Sequence, residues 1–315
     1  MRPKISVITP TRNREKTLNR VFKSLSNQNY KDFEWLVCDD ASTDSTLKLL
    51  KKYKKIAKFK IRIFAFRKRA GKPAIDNYCL KQSKGDFIVF ADSDDSFKNN
   101  SFDNFIKEWK KIPYKFKFKT FAIISRCLGS GGKPLEPKLN LKVRSISYED
   151  LIYKQKKNKE KWLFINKKIL KKFKFPEIDY YVPEGLTWIK VSKKYNLWIL
   201  DNCYRIFYSD TINSITHSSK INYPIGQINA LEFFIKSKLK KKENNFYKLL
   251  INFYRFKFIN NIFFNYKLTN KIKTKKILIF FAAIIGFLLF VKDLIFLNIK
   301  NEKFYKNKNK PIEIK

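Results

Sequence analysis

What this chain lacks narrows it first. Its four cysteines, Cys38, Cys79, Cys127 and Cys203, are scattered 41, 48 and 76 positions apart. That leaves neither a zinc-ligand spacing nor a compact disulfide framework, so buried free thiols in a reducing compartment are expected. The N-terminus has no apolar signal core: Met1-Arg2-Pro3-Lys4 enters a six-residue strand pattern and then the polar run Thr11-Arg12-Asn13-Arg14. The enzyme-like half is therefore expected to face the cytoplasm. No internal repeat is visible. The glycine cluster before Lys133, Gly129-Ser130-Gly131-Gly132, has neither the spacing nor the following Ser/Thr of a phosphate loop, and reads as a connection.

Acidic residues are also scarce. Asp and Glu number 27 against 69 Lys and Arg, for a formal charge of +42 over 315 residues. Such an excess ordinarily raises nucleic acid as a partner. Here Lys far outnumbers Arg and travels with Asn, Ile, Phe and Tyr, which looks like an A/T-rich coding bias. The excess is uneven as well: residues 236–315 carry 20 basic and 4 acidic residues. An anionic membrane surface fits that tail at least as well, and nucleic acid is not the expected partner.

Against this basic background, two acid clusters stand out. Phe33-Glu34-Trp35-Leu36-Val37-Cys38 runs into Asp39-Asp40, and Asp86-Phe87-Ile88-Val89-Phe90-Ala91 runs into Asp92-Ser93-Asp94-Asp95. Like charges this close repel, and a divalent cation or a row of ligand hydroxyls relieves them. Ligands of open α/β sheets bind just beyond the carboxyl ends of strands, and hard cations take carboxylate and phosphate oxygens. The surrounding pattern agrees. Strands are expected at Lys4–Pro10, Phe33–Asp39, Ile61–Phe66, Asp86–Ala91 and Phe121–Cys127, with helices at 15–26, 44–57, 73–84 and 101–111 between them. Strands joined by helices of 10–15 residues imply a largely parallel sheet. Residues 128–160 read as a loosened stretch, Glu184–Lys194 as a helix and Leu197–Tyr208 as a strand. Everything beyond Pro224 is helical in character.

The turn after the first strand, Thr9-Pro10-Thr11-Arg12-Asn13-Arg14, offers backbone N–H groups and Arg donors to an anion. Thr11 and Arg14 could reach a base or a phosphate there, or the segment is an ordinary polar turn. Together, Ile5–Arg14, Cys38-Asp39-Asp40-Ala41-Ser42-Thr43-Asp44 and Gly85–Asp95 resemble the inverting family 2 glycosyltransferases of GT-A fold, over roughly residues 1–210. The resemblance implies a Rossmann-like domain that uses a nucleotide-sugar donor, expected to be UDP-linked, and Mn²⁺ or Mg²⁺. By the same resemblance Pro10 and Thr11 line the nucleotide, Asp40 with Asp39 beside it contacts the base, and Asp92, followed by Ser93, lies near the ribose. Asp94, together with Asp95, meets the metal on the diphosphate. Lys72, in the basic loop after the third strand, either neighbours the diphosphate or is solvated.

An inverting transfer needs a base for the acceptor hydroxyl. Family members commonly place a Glu-Asp pair before a helix; here Glu184 matches the Glu and Gly185 stands in the Asp position. Glu184 is the expected base, with Asp179 in reserve. The only histidine, His217, is either an extra metal ligand or a surface-loop residue.

Two domains are expected, 1–222 (donor half about 1–127, acceptor half about 128–222) and a basic helical region, 223–315. In the second, Ile277–Val291 is uncharged, followed by Lys292-Asp293 and Leu294–Leu297, with lysines on both sides. Basic flanks at both ends disfavour a simple single pass, so a monotopic or peripheral anchor at the cytoplasmic face of the plasma membrane is expected, with a true span and a buried core helix as the alternatives. The whole reads as a metal-dependent inverting glycosyltransferase with a glycan or lipid-linked acceptor, acting in cell-surface polysaccharide synthesis. A sugar-nucleotidyltransferase is the alternative enzyme, weakened by the missing glycine-rich N-terminal loop. A non-enzymatic basic membrane- or nucleic-acid-binding protein is the alternative outside enzymes.

Overall fold

Short β-branched strands alternating with helices build the half that carries the acid clusters. In this computed structural model residues 3–138, 144–154, 160–210, 222–236, 243–265, 276–296 and 310–314 are described. The chain divides into two compact units. One comprises Met1–Lys174, Thr187–Thr211 and Asn307–Lys315; the other comprises Phe175–Leu186 and Ile212–Lys306.

The first unit opens with β1 (Ile5–Thr11), α1 (Leu18–Ser26), β2 (Phe33–Asp39), α2 (Thr46–Ile56), β3 (Lys60–Ala65), α3 (Lys72–Gln82) and β4 (Phe87–Phe90). β5 (Ser96–Phe97), α4 (Ser101–Lys111), α5 (Tyr114–Lys117), β6 (Thr120–Gly129), β7 (Ser145–Ile146) and α6 (Tyr148–Lys154) follow. Then come β8 (Lys161–Asn166), α7 (Lys167–Leu170), α8 (Gly185–Ser192) and β9 (Asn196–Phe207), with β10 (Ile312–Ile314) arriving from the far end of the chain. The sheet order is β10-β3-β2-β1-β4-β8-β6-β9-β5, and β7 pairs with β9.

β3, β2, β1 and β4 are mutually parallel. Ile5, Val7, Ile8, Trp35, Val37, Ile63 and Val89 are fully enclosed, as strands covered on both faces require. Beyond β4 the sheet turns mixed rather than continuing parallel. β8 runs antiparallel to both β4 and β6, and β6 is parallel to β9. β8 follows the loosened stretch, where among the described residues no long crossover helix sets a parallel return.

Register positions the chemistry. Thr11 pairs with Asp39 and Ile8 with Phe90, so the carboxyl ends of β1, β2 and β4 finish side by side. Asp40 N–H donates to the Thr11 carbonyl (2.8 Å) and Ala91 N–H to the Ile8 carbonyl (2.9 Å), carrying the alignment into the two acidic turns. Behind β4, Gly85 lies against β1: an added Cβ would stand 2.5 Å from the Ser6 nitrogen and 2.7 Å from the Ile5 carbonyl carbon. Gly85→Ala is expected to cost about 1–3 kcal/mol, because backbone cannot yield as a side chain does. An unchanged urea midpoint would contradict this packing.

Residues 175–186 group with the C-terminal helices, while β10 returns to the sheet. β10 lies antiparallel on β3, with Ile312 opposite Ala65 and Ile314 opposite Ile63. Arg62 Nε donates to Glu313 (3.0 Å) and Lys54 Nζ to the Ile314 carbonyl (2.8 Å). The strand covers a β3 edge that would otherwise expose unpaired backbone groups.

The second unit contains α9 (Pro224–Lys236), α10 (Glu243–Ile259), a π-helical turn at Asn260–Phe264 and α11 (Lys276–Phe296). Its core includes Ile228, Ile235, Leu250, Phe253, Phe256, Phe264 and Phe290. A Cβ on Gly286 would lie 2.8 Å from the Ile251 carbonyl oxygen and 2.9 Å from the Arg255 nitrogen. The absence of a side chain there lets α11 approach the backbone of α10. Arg255 then clasps Asp293 through both oxygens, at 2.6 and 2.5 Å.

Candidate active site

The acidic turn after β4 is held from several sides. Thr17 Oγ1, just ahead of α1, donates to the Ser93 carbonyl (3.2 Å), and Arg20 on α1 donates to the Asp94 carbonyl (3.2 Å). Trp162 Nε1 on β8 donates to the Phe90 carbonyl (2.8 Å). Arg205, buried on β9, binds two of the acids at once: Nε to Asp95 (2.5 Å) and a terminal nitrogen to Asp92 (2.6 Å). β5 explains this reach, because its antiparallel pairing with β9 sets Phe97 opposite Arg205, two residues after Asp95.

These bonds give the three aspartates different circumstances. Asp95 is fully buried, and its second oxygen accepts the Tyr208 N–H (3.1 Å). Burial raises its carboxyl, Arg205 opposes the rise, and the charges of Asp92 and Asp94 add to it. For Asp92, burial also raises the carboxyl, but the positive charges of Arg205, Lys72 and Arg14 outweigh it and hold the net value below the ordinary range. Burial works against the Arg205 charge, and the carboxylates of Asp92 and Asp95 more than offset it, leaving the guanidinium well above its usual value. Asp94 is different. No other described residue donates a hydrogen bond to its carboxylate, and burial together with the Asp92 charge raises it.

The remaining expected donor-site residues converge on the same end of the sheet. Thr11 is almost wholly buried and its hydroxyl has no hydrogen-bond partner. Pro10 and Thr11 close β1 directly beside Cys38 and Asp39. Asp39 accepts the Ser42 N–H (3.0 Å) and the Ser42 hydroxyl, so it shapes its own turn. Asp40 accepts Ala70 N–H (2.5 Å) and Gly71 N–H (3.1 Å), tying the loop after β3 to the end of β2. Burial raises both carboxyls, and hydrogen bonds to Ser42 for Asp39, and to Ala70 for Asp40, work the other way. Gly71 has φ +87°, a conformation suited to glycine, and α3 begins at the next residue. Lys72 pairs with Asp76 (2.8 Å), lies 5.5 Å from the Phe90 ring centre, and contributes to the positive field at Asp92. The Arg14 backbone N–H donates to Thr46 (2.7 Å), joining the loop after β1 to the start of α2.

Among the described residues no group of three or more His, Cys, Asp or Glu side chains is arranged as a complete metal cage. A cation shared with a diphosphate asks for less: one or two carboxylates, with phosphate and water oxygens completing the shell. The Asp94 carboxylate, which accepts from no other described residue, could supply one such ligand, whereas both Asp95 oxygens already accept hydrogen bonds. His217 lies outside the described residues.

Asp179 and Glu184 belong to the second unit. Asp179 is nearly inaccessible and accepts Gly226 N–H (3.1 Å) and its neighbour Tyr180 N–H (2.8 Å), pinning the first turn of α9. Glu184 is half-buried immediately before α8.

Two residues were missed in the sequence reading. Arg205 carried a usable signal, a lone charge inside the apolar run Cys203–Phe207, which must be paired if that run is a buried strand. Arg20 had none; its importance comes from meeting Asp210 (2.9 and 2.7 Å) and the Tyr208 ring (4.1 Å), 190 and 188 positions away.

An open sheet whose parallel strands end in a polar turn and an acidic turn, continued by a mixed half, is the GT-A architecture of glycosyltransferases. The chain belongs to glycosyl transferase family 2, whose family model matches residues 6–183. It is 26% identical over 256 residues to a GalNAc(5)-diNAcBac-PP-undecaprenol beta-1,3-glucosyltransferase of Campylobacter jejuni, covering 80% of this chain and 81% of that protein. It is 29% identical over 205 residues to the UDP-Glc:alpha-D-GlcNAc-diphosphoundecaprenol beta-1,3-glucosyltransferase WfgD of Escherichia coli, covering 63% and 73%. Among solved structures, Staphylococcus aureus TarS in complex with UDP shares the fold, with a TM-score of 0.56 and 22% identity over 84% of this chain and 75% of that one.

Proposed function

We propose that this enzyme is a divalent-metal-dependent inverting glycosyltransferase. It moves a sugar from a UDP-linked donor to a lipid-linked glycan at the cytoplasmic face of the membrane, in cell-surface polysaccharide synthesis. The observation that carries the reading is the Asp94 carboxylate, which accepts from no other described residue, in a turn whose other two acids are fastened by Arg205. The undecaprenol-linked acceptors and the UDP-glucose donor in the relatives' names support the substrate classes.

In this reading Thr11, with its unpartnered hydroxyl, and Pro10 border the nucleoside, while Asp40 sets the wall opposite by holding Ala70 and Gly71. Asp92 lies near the ribose. The positive charges of Lys72 and Arg14, felt at Asp92, favour a diphosphate nearby. Asp94 holds the cation; a bound Mn²⁺ or Mg²⁺ supplies neutralisation of the charge that grows on the departing diphosphate. Asp95 anchors Arg205. The acceptor hydroxyl gives its proton to the Glu184 carboxylate as its oxygen bonds to the anomeric carbon. The bond from that carbon to the diphosphate oxygen breaks, the diphosphate leaves with the electron pair, and the configuration inverts. Glu184 is favoured over Asp179 because Asp179 is nearly inaccessible whereas Glu184 is half-buried.

Glu184→Gln is expected to leave nucleotide and metal binding intact while lowering kcat by ~10²–10⁴-fold, the usual loss for a general base. Full activity, or loss of donor binding in step with kcat, would remove Glu184 from this role.

A further inference from the structure

α11 is 21 residues long, about 31 Å of helix, enough by length for a hydrocarbon core of about 30 Å. Residues 276–295 have a mean hydropathy of 2.5, with only 22% of the most apolar window buried. Phe280, Phe281, Ile284, Ile285, Leu288 and Ile295 are exposed along it. Composition alone leaves two arrangements open, a crossing helix and one that lies within a single leaflet.

The sheet decides between them. After fifteen intervening residues, 297–311, the chain is back in the first unit as β10, hydrogen-bonded to β3 four strands from β4. The chain therefore leaves the sheet at β9 and re-enters it at β10, and must make an even number of membrane crossings in between. If α11 crossed once, a second segment would have to cross back. Leu297–Pro311 would reach far enough when extended, about 50 Å. It contains Lys300, Glu302, Lys303, Lys306, Lys308 and Lys310; lone charges and unpaired backbone are not tolerated in hydrocarbon. α10 is the other possibility, and it carries Lys248, Arg255 and Lys257, with Lys248 exposed. Among the described residues α11 is the one helix apolar enough to cross. α10 is also bound along the C-terminal half of α11, by the Gly286 contact and the Arg255–Asp293 clasp.

We propose that α11 crosses no membrane: it lies in the leaflet facing the catalytic sheet, as an in-plane anchor, and β10 is the strap that holds both of its ends on that side. The occupant of its exposed apolar face is the acyl region of that leaflet. Lys276 and Lys310, both exposed, then rest on anionic headgroups. This inference rests on the membrane reading given above and goes beyond it by fixing the topology.

Lys276 and Lys310 are both exposed, the first opening the helix and the second standing just ahead of β10. The four native cysteines are buried, so the wild-type chain supplies the labelling background. Lys276→Cys and Lys310→Cys, each in the full chain, are treated with a membrane-impermeant maleimide in inverted and right-side-out vesicles. The expected result is labelling of both positions in inverted vesicles and protection of both in right-side-out vesicles until detergent is added. Labelling of the two positions from opposite sides would overturn the topology while leaving membrane association standing. Flotation with phosphatidylglycerol-containing liposomes separates the other failure: a chain that stays at the bottom of the gradient has no leaflet contact, and both the membrane reading and the strap inference fall.

Discussion

Asp94→Asn is expected to lower kcat by ~10³-fold or more with almost no change in the unfolding midpoint. The amide has nearly the shape of the carboxylate and only removes the charge. Because no other described residue donates to that carboxylate, the substitution breaks no internal ion pair and leaves no buried partner stranded. A divalent cation contributes several kcal/mol to stabilising charge on a leaving group, and about 4 kcal/mol corresponds to ~10³ in rate. Burial and the Asp92 charge already raise the Asp94 carboxyl, so a cation bound there relieves an unfavourable charge and binds the more strongly for it. The variant's nucleotide affinity should fall to the level the wild type shows in EDTA. Wild-type turnover in Asp94→Asn would contradict a cation site at Asp94.

The second large effect is on stability. Arg205→Met should destabilise the first unit by about 3–5 kcal/mol, the usual cost of removing one member of a buried ion pair and stranding the rest. The stranded partners are Asp95, fully buried, and Asp92. All five tryptophans lie in the first unit, so fluorescence during urea unfolding reports on it. Adding Asp95→Asn to Arg205→Met should recover a good part of the loss, because the amide no longer carries a buried charge. A loss under about 1 kcal/mol, or simple additivity of the two substitutions, would show that the pair is not coupled.

Legibility in the sequence followed the range of the interactions. β2 and α4 match their expected spans residue for residue, since apolar runs ended by acids or opened by Ser101 are local patterns. The acidic turns were legible for the same reason, because an acid cluster closing an apolar run is visible without knowing what it touches. The division of labour among Asp92, Asp94 and Asp95 was not. It is set by Arg205, 110 positions downstream of Asp95, and by α1 reaching the carbonyls of Ser93 and Asp94. β10 was hidden as well: Ile312-Glu313-Ile314 is too short to stand out after a Lys- and Asn-rich run, and its strand character comes from the β3 edge it covers. The mixed half of the sheet was missed because β8 follows a stretch whose periodicity is weak, and its direction is decided by pairing between β4 and β6.

The most direct measurement is thermal unfolding of the purified chain with UDP, GDP, CDP and dTDP, each in Mn²⁺ and in EDTA. A ligand that binds only the folded state adds ~2.7 kcal/mol of stability at a hundredfold excess over its Kd. UDP is expected to raise the midpoint in Mn²⁺, to do so far less in EDTA, and to lose the Mn²⁺-dependent part in Asp94→Asn. A shift that is equal in EDTA and Mn²⁺, or that persists undiminished in Asp94→Asn, would contradict a metal–diphosphate site at the acidic turn.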